Sequence, residues 1–174
     1  MTGTARMPVE QQAALLAQIR AAFPAEPIPS EGAFDDWGGT YLDARPYKQQ
    51  LEGKASWEDL DRTYLLTRED ALSFLGTRHL VAVLPVYLRS LVEEGVWSRA
   101  KYTVIGLLTK PGPDQKTGIK RPRFEALVEA LTPAQRAVIA AVLHGFAMTN
   151  ALGSPGQAAG IAFVLAWQTY LPAG

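Results

Sequence analysis

The stretch that decides the fold runs from Thr132 to Phe146 and reads TPAQRAVIAAVLHGF. Thr132 has the hydroxyl of an N-cap residue, Pro133 suits the first helical position, and Gln135 can reach back to the amide of the cap. Apolar side chains then recur at spacings of three and four residues, which is the period of an α-helix. The stretch therefore predicts a helix that begins at Pro133 and buries one apolar face.

The same spacing recurs along the rest of the chain, and several segments begin with cap residues of the same kind. The other predicted helices run over 9–23, 56–64, 67–75, 80–91, 97–107, 124–131 and 154–167. No segment alternates between apolar and polar residues for long enough to demand a β-strand. We therefore predict an all-α fold, a compact single-domain bundle of about seven helices that covers residues 1–174.

Three local features of these helices have particular expected roles. Gly76 is placed to end the helix that begins at Thr67, in the left-handed conformation. Pro85 either starts its helix or kinks it, because proline has no amide hydrogen. Gly156 and Gly160 expose backbone in the last helix, so we expect a neighbouring helix to approach closely there.

Two segments lack helical periodicity and are predicted to be loops. Residues 24–55 form a long acidic and aromatic loop near the N-terminus, and prolines interrupt its first part. Residues 110–122 form a basic interhelical loop. Loops carry binding and catalytic residues more often than the elements they connect, and the candidate site residues lie in or beside these two segments.

Composition excludes several classes of protein. At 174 residues the chain has the length of one domain, and the absence of cysteine excludes disulfides, thiol catalysis and cysteine-ligated zinc. The formal net charge is zero, which argues against nucleic acid as the partner. The start of the chain has no secretory signal, and glycines divide the longest apolar stretch, so we expect a cytoplasmic protein without a membrane span.

Motifs for catalysis or cofactor binding are weak. Neither His79 nor His144 has a second ligand three to five residues away, so we predict no metal site and no cofactor. Ser154 lies in LGSPG, which lacks the pattern of a hydrolase nucleophile, and the glycine spacing of GPDQKTGIK is wrong for a phosphate loop. The sequence therefore leans against an enzyme.

The basic segment has two interpretations. With Arg123 just after it, the segment carries five cations against Asp114 alone: Lys110, Lys116, Lys120, Arg121 and Arg123. The last four are the candidate anion-binding residues. They either cover a solvated loop or contact an anion or an acidic partner. We keep them as a weak anion-binding prediction.

The segment from Ser30 to Tyr47, SEGAFDDWGGTYLDARPY, combines carboxylates with aromatic rings. In a structural interpretation, the rings hold the loop against the core while the acids face water. In a second interpretation, the segment is a partner-binding surface made of Asp35, Asp36, Trp37, Tyr41 and Asp43. Tyrosine and tryptophan concentrate binding energy at interfaces, and carboxylates steer a basic partner. A third interpretation is acid–base catalysis by paired carboxylates, as in glycosidases.

Four pieces of sequence carry a resemblance to a known family. They are GKASW at Gly53–Trp57, LSFL at Leu72–Leu75, LPVYL at Leu84–Leu88 and FEALVEALTPAQRAVIAAVL at Phe124–Leu143. Together they are similar to a bacterial family of small proteins known only as a domain of unknown function, the one numbered 6714. The resemblance implies a compact helical bacterial protein and no particular activity, so no catalytic residue is carried over from it.

We therefore expect a non-enzymatic protein-binding module whose partner presents a basic surface, with immunity or antitoxin-like proteins as the nearest analogy. The alternative is a hydrolase-type enzyme that uses carboxylates of the 31–43 loop as acid and base.

Overall fold

The computed structural model describes residues 7–30, 44–93, 99–112, 120–149 and 154–172. The all-α prediction is confirmed in these ranges, which contain eight α-helices and no strand. The helices are α1 (Val9–Ala22), α2 (Ala44–Leu51), α3 (Arg62–Thr67), α4 (Thr77–Val92), α5 (Ala100–Leu107), α6 (Lys120–Ala130), α7 (Pro133–Thr149) and α8 (Ser154–Ala162). Short 3₁₀ turns cover Trp57–Asp59 and Glu69–Ser73, and α8 continues as a π-helical turn, Phe163–Trp167, and a 3₁₀ turn, Gln168–Tyr170.

Helix α4 lies at the centre of the structure. Eleven of its sixteen residues are buried, and α1, α5, α6 and α7 all pack against it. Pro85 lies inside this helix, which begins at Thr77, so Pro85 does not start it. An internal proline removes one helical hydrogen bond, and the burial of apolar side chains on both sides of Pro85 compensates for that loss.

A chain of buried hydroxyl groups connects α4 to α2 and α3. The Tyr87 hydroxyl donates to the carbonyl oxygen of Leu65 at 2.9 Å. The Tyr47 hydroxyl lies 3.0 Å from that of Tyr87, and it is the donor because the Tyr87 hydrogen is already used. Both rings are fully buried, so these bonds satisfy polar atoms that water cannot reach.

The turn from α6 into α7 has the geometry that the sequence predicts. The backbone amide of Gln135 donates to Thr132 Oγ1 at 3.2 Å, and the backbone amide of Thr132 donates to Gln135 Oε1 at 2.9 Å. Arg136 then donates from Nε to the carbonyl oxygen of Val128 at 2.9 Å, near the end of α6. The capping box and this arginine together fix the direction in which α7 leaves α6.

Two indole groups attach irregular backbone to the core. Trp57 Nε1 donates to the carbonyl oxygen of Phe23 at 2.8 Å, just after the end of α1. Trp167 Nε1 donates to the carbonyl oxygen of Leu108 at 2.7 Å, just after the end of α5. Each tryptophan therefore buries a large ring, and its indole nitrogen provides a hydrogen bond to a carbonyl oxygen at the end of a helix.

One glycine that the sequence analysis did not single out lies in tight contact with a neighbouring helix. A Cβ atom on Gly145 of α7 would lie 3.2 Å from Gln11 and 3.3 Å from Leu15 and Met7, in and just before α1. At Gly160, by contrast, a Cβ atom would lie 3.7 Å from Ala147, an ordinary contact. The absence of a side chain at Gly145 therefore allows α1 to pack closely against α7.

Four predictions of local structure are wrong in detail. The loop predicted over 24–55 contains helix α2, Ala44–Leu51, and the loop predicted over 110–122 ends where α6 begins at Lys120. Gly76 has φ −61° and precedes α4 as its N-cap, so it does not adopt the left-handed conformation. The predicted helix that begins at Thr67 is a 3₁₀ turn, Glu69–Ser73, without a side-chain cap.

Across the described ranges, no single helix has the length and hydropathy of a membrane span. Pro122–Ala130 and Pro133–Thr149 meet both criteria only as a pair, and they are bent relative to each other by 116°.

The hydroxyl chain predicts an ordered set of stabilities. Tyr47→Phe removes one hydrogen bond and leaves no donor stranded, so it should lower the free energy of unfolding by about 1 kcal/mol. Tyr87→Phe strands the buried Tyr47 hydroxyl and should cost about 2–3 kcal/mol. The double variant removes the stranded group and should cost less than the sum of the two. Urea unfolding measures all three, and equal costs for both single variants would contradict this geometry.

The capping box also predicts a measurable loss. Thr132→Ala removes the acceptor for the Gln135 amide and should lower the free energy of unfolding by about 1 kcal/mol. Thr63→Ala in α3 is the matched control, because Thr63 is exposed, and its cost should stay within about 0.5 kcal/mol. Indistinguishable urea midpoints for these two variants would show that the box does not stabilise α7.

Candidate functional site

The predicted partner-binding residues lie outside the part of the chain that the structure describes. Asp35, Asp36, Trp37, Tyr41 and Asp43 all fall within residues 31–43. Their role as a binding surface therefore stays a prediction, as does the alternative of acid–base catalysis by carboxylates of this segment. Its last aromatic residue, Tyr47, is a core residue of α2, as the structural interpretation expects.

The predicted anion-binding residues divide into two groups. Lys116 lies outside the described residues, and Lys120 and Arg121 belong to the first turn of α6, where only the backbone is described. Arg123 has a different role from the predicted one. Its guanidinium donates to the carbonyl oxygens of Leu72 at 2.6 Å and Leu75 at 2.9 Å, and also to that of Ser73. Arg123 therefore holds the 3₁₀ turn Glu69–Ser73 against α6.

The C-terminal helix consists of α8 and the π-helical turn that follows it. Between the exposed residues Gln157 and Gln168, its outer face carries large apolar side chains. Six large apolar side chains are exposed in the described ranges, and three of them form what we call the C-terminal ridge: Ile161, Val164 and Leu165. They are 56%, 64% and 55% exposed and are spaced by three residues and one residue along the chain. Val164 and Leu165 follow Ile161 by three and four residues, the spacings at which side chains on a helix are neighbours, so the three side chains form a continuous surface.

The π-helical turn Phe163–Trp167 is held from the inner side of the same helix. Trp167 is fully buried, and its ring packs edge-on against Phe124 of α6 at a centroid distance of 6.2 Å. Tyr170 lies 5.8 Å from Trp167 and under the guanidinium of Arg136 at 5.6 Å. Because the inner side is anchored, the ridge keeps a fixed orientation. Single π-helical turns often mark functional sites.

A groove separates the ridge from α6, and we call it the acidic groove. It encloses about 460 Å³, and its main walls are Phe124, Glu125, Val128 and Glu129 of α6 together with Val164, Leu165 and Tyr170. Glu125 and Glu129 are exposed and one helical turn apart, so both carboxylates lie on the same side of α6. Lys110 also lines this groove, so the acidic groove combines apolar walls with two carboxylates and one cation.

A second groove adjoins the first, and we call it the α5–α6 groove. It encloses about 510 Å³ between α5, α6 and the 3₁₀ turn Glu69–Ser73. The two grooves share Lys110 and Phe124, so they form one continuous face of the molecule. The sequence singled out neither groove.

The polar clusters of the core are structural. Arg89 donates to Glu93 Oε1 from Nε at 3.1 Å and from Nη2 at 2.8 Å, and Arg62 pairs with the other carboxylate oxygen. Burial alone would raise the pKa of Glu93, but the hydrogen bonds and charges of Arg89 and Arg62 outweigh burial and hold that pKa below its usual value. Burial raises the pKa of both Tyr47 and Tyr87. These groups therefore keep their ordinary charge states at neutral pH, which does not suit proton transfer.

His79 is a buried titratable group that makes a hydrogen bond to a carbonyl oxygen of residues 24–30. It is 1% exposed, and its Nε2 lies 2.8 Å from the carbonyl oxygen of Pro29, to which it donates in the neutral ring. Burial lowers the pKa of His79, and the nearby charges of Arg78 and Lys48 lower it further, while the Pro29 carbonyl acts in the opposite direction. The ring therefore joins residues 24–30 to α4 as a neutral hydrogen-bond donor.

Within the described ranges, no group of three or more potential ligands among His, Asp and Glu is placed to hold a metal ion. Comparisons of the chain with family models, curated proteins and solved structures find no match. The family resemblance of the sequence therefore stays a prediction. The motif residues that carry it have structural roles here: Trp57 and Tyr87 make buried hydrogen bonds, and Thr132 caps α7.

The ridge could have been noticed in the sequence through one signal. Residues 158–167, AAGIAFVLAW, contain no polar residue at all, although a helix on the surface of a globular protein normally has a polar outer face. An apolar stretch of this kind is either buried all round or exposes an apolar surface. Sequence periodicity alone does not distinguish these two cases.

The surroundings of His79 predict a pH dependence of stability. Since its folded-state pKa lies below the unfolded value, the stabilisation is complete above about pH 6.5 and is lost as the pH falls. His79→Gln should therefore flatten the curve of unfolding free energy between pH 7.5 and 5.5. His144→Gln, at an exposed position, is the control and should keep the slope of the parent protein. Parallel curves for the parent and His79→Gln would contradict the assignment.

Proposed function

We propose that the protein is a non-enzymatic protein-binding module of the immunity or antitoxin kind, and that its partner docks a basic surface on the C-terminal ridge and the acidic groove. The observation that carries the proposal is the exposure of Val164 and Leu165 beside the carboxylates of Glu125 and Glu129.

The apolar surface supports protein binding because exposed apolar clusters are unfavourable in water. Exposed apolar patches rimmed by polar residues typically mark interaction sites. The ridge supplies an apolar centre, and Tyr170 adds a half-buried aromatic ring at the other wall of the groove. Aromatic and apolar anchors at the centre of a contact provide most of the binding energy in protein interfaces.

The charge supports a basic partner. The carboxylate of Glu129 forms no ion pair with any residue in the described ranges, and Glu125 lies one helical turn before it. Two carboxylates at the rim attract cationic side chains and accelerate encounter with them. The predicted surface at Asp35, Asp36 and Asp43 has the same sign of charge, so it suits the same kind of partner.

The test is a binding measurement with surface variants. The parent protein captures its partner from an extract of the source cell, and interferometry then measures the purified pair. Val164→Ser and Leu165→Ser should each raise Kd about tenfold or more, mainly through faster dissociation, because they remove buried apolar contact. Glu129→Gln should slow association and reduce its dependence on salt.

Val9→Ser is the matched control, because Val9 is also an exposed valine, at 80% exposure, and lies on α1 away from both grooves. It should leave Kd unchanged. The ridge would be rejected as the contact surface if all three apolar variants bound equally well. Replacing Asp35, Asp36 and Asp43 by Asn in the same assay tests the loop separately. Concentration-dependent dimerisation of the parent, abolished by Leu165→Ser, would instead assign the ridge to a second copy of the chain.

A further inference from the structure

The α5–α6 groove has chemistry that the proposed protein partner does not explain. One face of α5 forms its first wall with Thr103, Gly106 and Leu107, and Lys110 continues that face one turn later. The opposite wall consists of Leu72 and Ser73 from the 3₁₀ turn and of Phe124 from α6. At about 510 Å³ the groove falls within the size range of small-molecule sites.

The floor of the groove is apolar and its opening is maintained by a glycine. Leu72 and Phe124 are buried in the core and present only part of their surface to the groove. Gly106 lies on the wall, and a Cβ atom built on it would meet nothing within 4 Å. Gly106 is exposed, so a larger side chain at position 106 would project into open space along this wall.

The charge at the groove is positive. Its described lining contains Lys110 and Arg123 and no carboxylate. Lys110 makes no ion pair with any residue in the described ranges. The guanidinium of Arg123 is held by backbone carbonyls, but its charge still adds to the local potential. The hydroxyl of Ser73 forms no hydrogen bond with a described residue, so it is a further donor for an oxygen ligand.

We propose that the α5–α6 groove binds a small anionic amphiphile, a single-chain carboxylate whose chain lies along Leu72, Leu107 and Phe124 and whose head group pairs with Lys110. The C-terminal ridge does not line this groove, although the groove adjoins the acidic groove and shares Lys110 and Phe124 with it. A cation just after the end of α5 also complements the helix dipole without any ligand. The combination of that cation with an apolar floor and an open glycine wall is what identifies the ligand class.

Isothermal titration calorimetry with decanoate, below its micelle concentration and at pH 7.5, tests the site. Two matched probes separate the parts of the ligand: 1-decanol has the chain without the charge, and acetate has the charge without the chain. Decanoate should bind saturably at one site per chain. Decanol should bind about tenfold more weakly, since it lacks the charge-assisted hydrogen bond, and acetate should show no saturable binding.

Variants locate the binding to the groove. Gly106→Leu fills the empty space with a good helix former and should abolish decanoate binding without loss of stability. Gly106→Ala adds one methyl group and should retain binding. Lys110→Gln should weaken decanoate about tenfold while leaving decanol unchanged. Lys54→Gln, at a lysine outside the groove lining, should match the parent protein.

The proposal is overturned by any of three results: no saturable binding of decanoate, equal affinities for decanoate and decanol, or undiminished decanoate binding to Lys110→Gln. Because Lys110→Gln changes a surface side chain only, it decides the question even if Gly106→Leu fails to fold. The partner-binding assay with Val164→Ser measures a different ligand. A negative result with decanoate therefore rejects the α5–α6 groove site without rejecting the proposed protein partner.

Discussion

The structure depends on the burial of α4 on nearly every side. A helix in this position contributes apolar contact to each of its neighbours, but every polar atom along it must find a partner inside the protein. Tyr87 meets this requirement toward α2 and α3, His79 meets it through Nε2 toward residues 24–30, and Arg89 meets it through Glu93. Residues 24–30, α2 and α3 are therefore attached to α4 by directed hydrogen bonds, whereas α7 is attached to it mainly by apolar packing.

This division explains where function can reside. The residues that carry the family resemblance are occupied with the core: Trp57 and Tyr87 donate to buried carbonyl groups, and Thr132 and Gln135 cap α7. Side chains so engaged are not available to a partner. The outer faces of α5, α6 and the C-terminal helix carry none of these motif residues. The ridge and both grooves lie on these faces. Similar proteins could therefore share the core motifs and differ in what they bind.

The parts of the structure that were predictable are local in sequence. The capping box at Thr132 needs residues only three positions apart, so its sequence pattern and its geometry agree. Helix α2 was missed because its anchors, Tyr47 and Leu51, are only two apolar residues that gain stability from distant partners on α4. The contact between Arg123 and the 3₁₀ turn was not predicted because its acceptors are backbone carbonyls some 50 residues away, which leave no mark on the sequence around it. The ridge at Val164 was missed because an apolar helix does not reveal which side it exposes.

We propose that the C-terminal ridge contacts a protein partner. Site-specific photo-crosslinking in the source cell shows whether a protein lies against it. A benzophenone amino acid replaces Val164 in one strain and Val9 in another; both positions are exposed valines, at 64% and 80%, on different helices. The account predicts a discrete covalent adduct with one protein at position 164 and none at position 9. No adduct at position 164, or the same adducts at both positions, would contradict it.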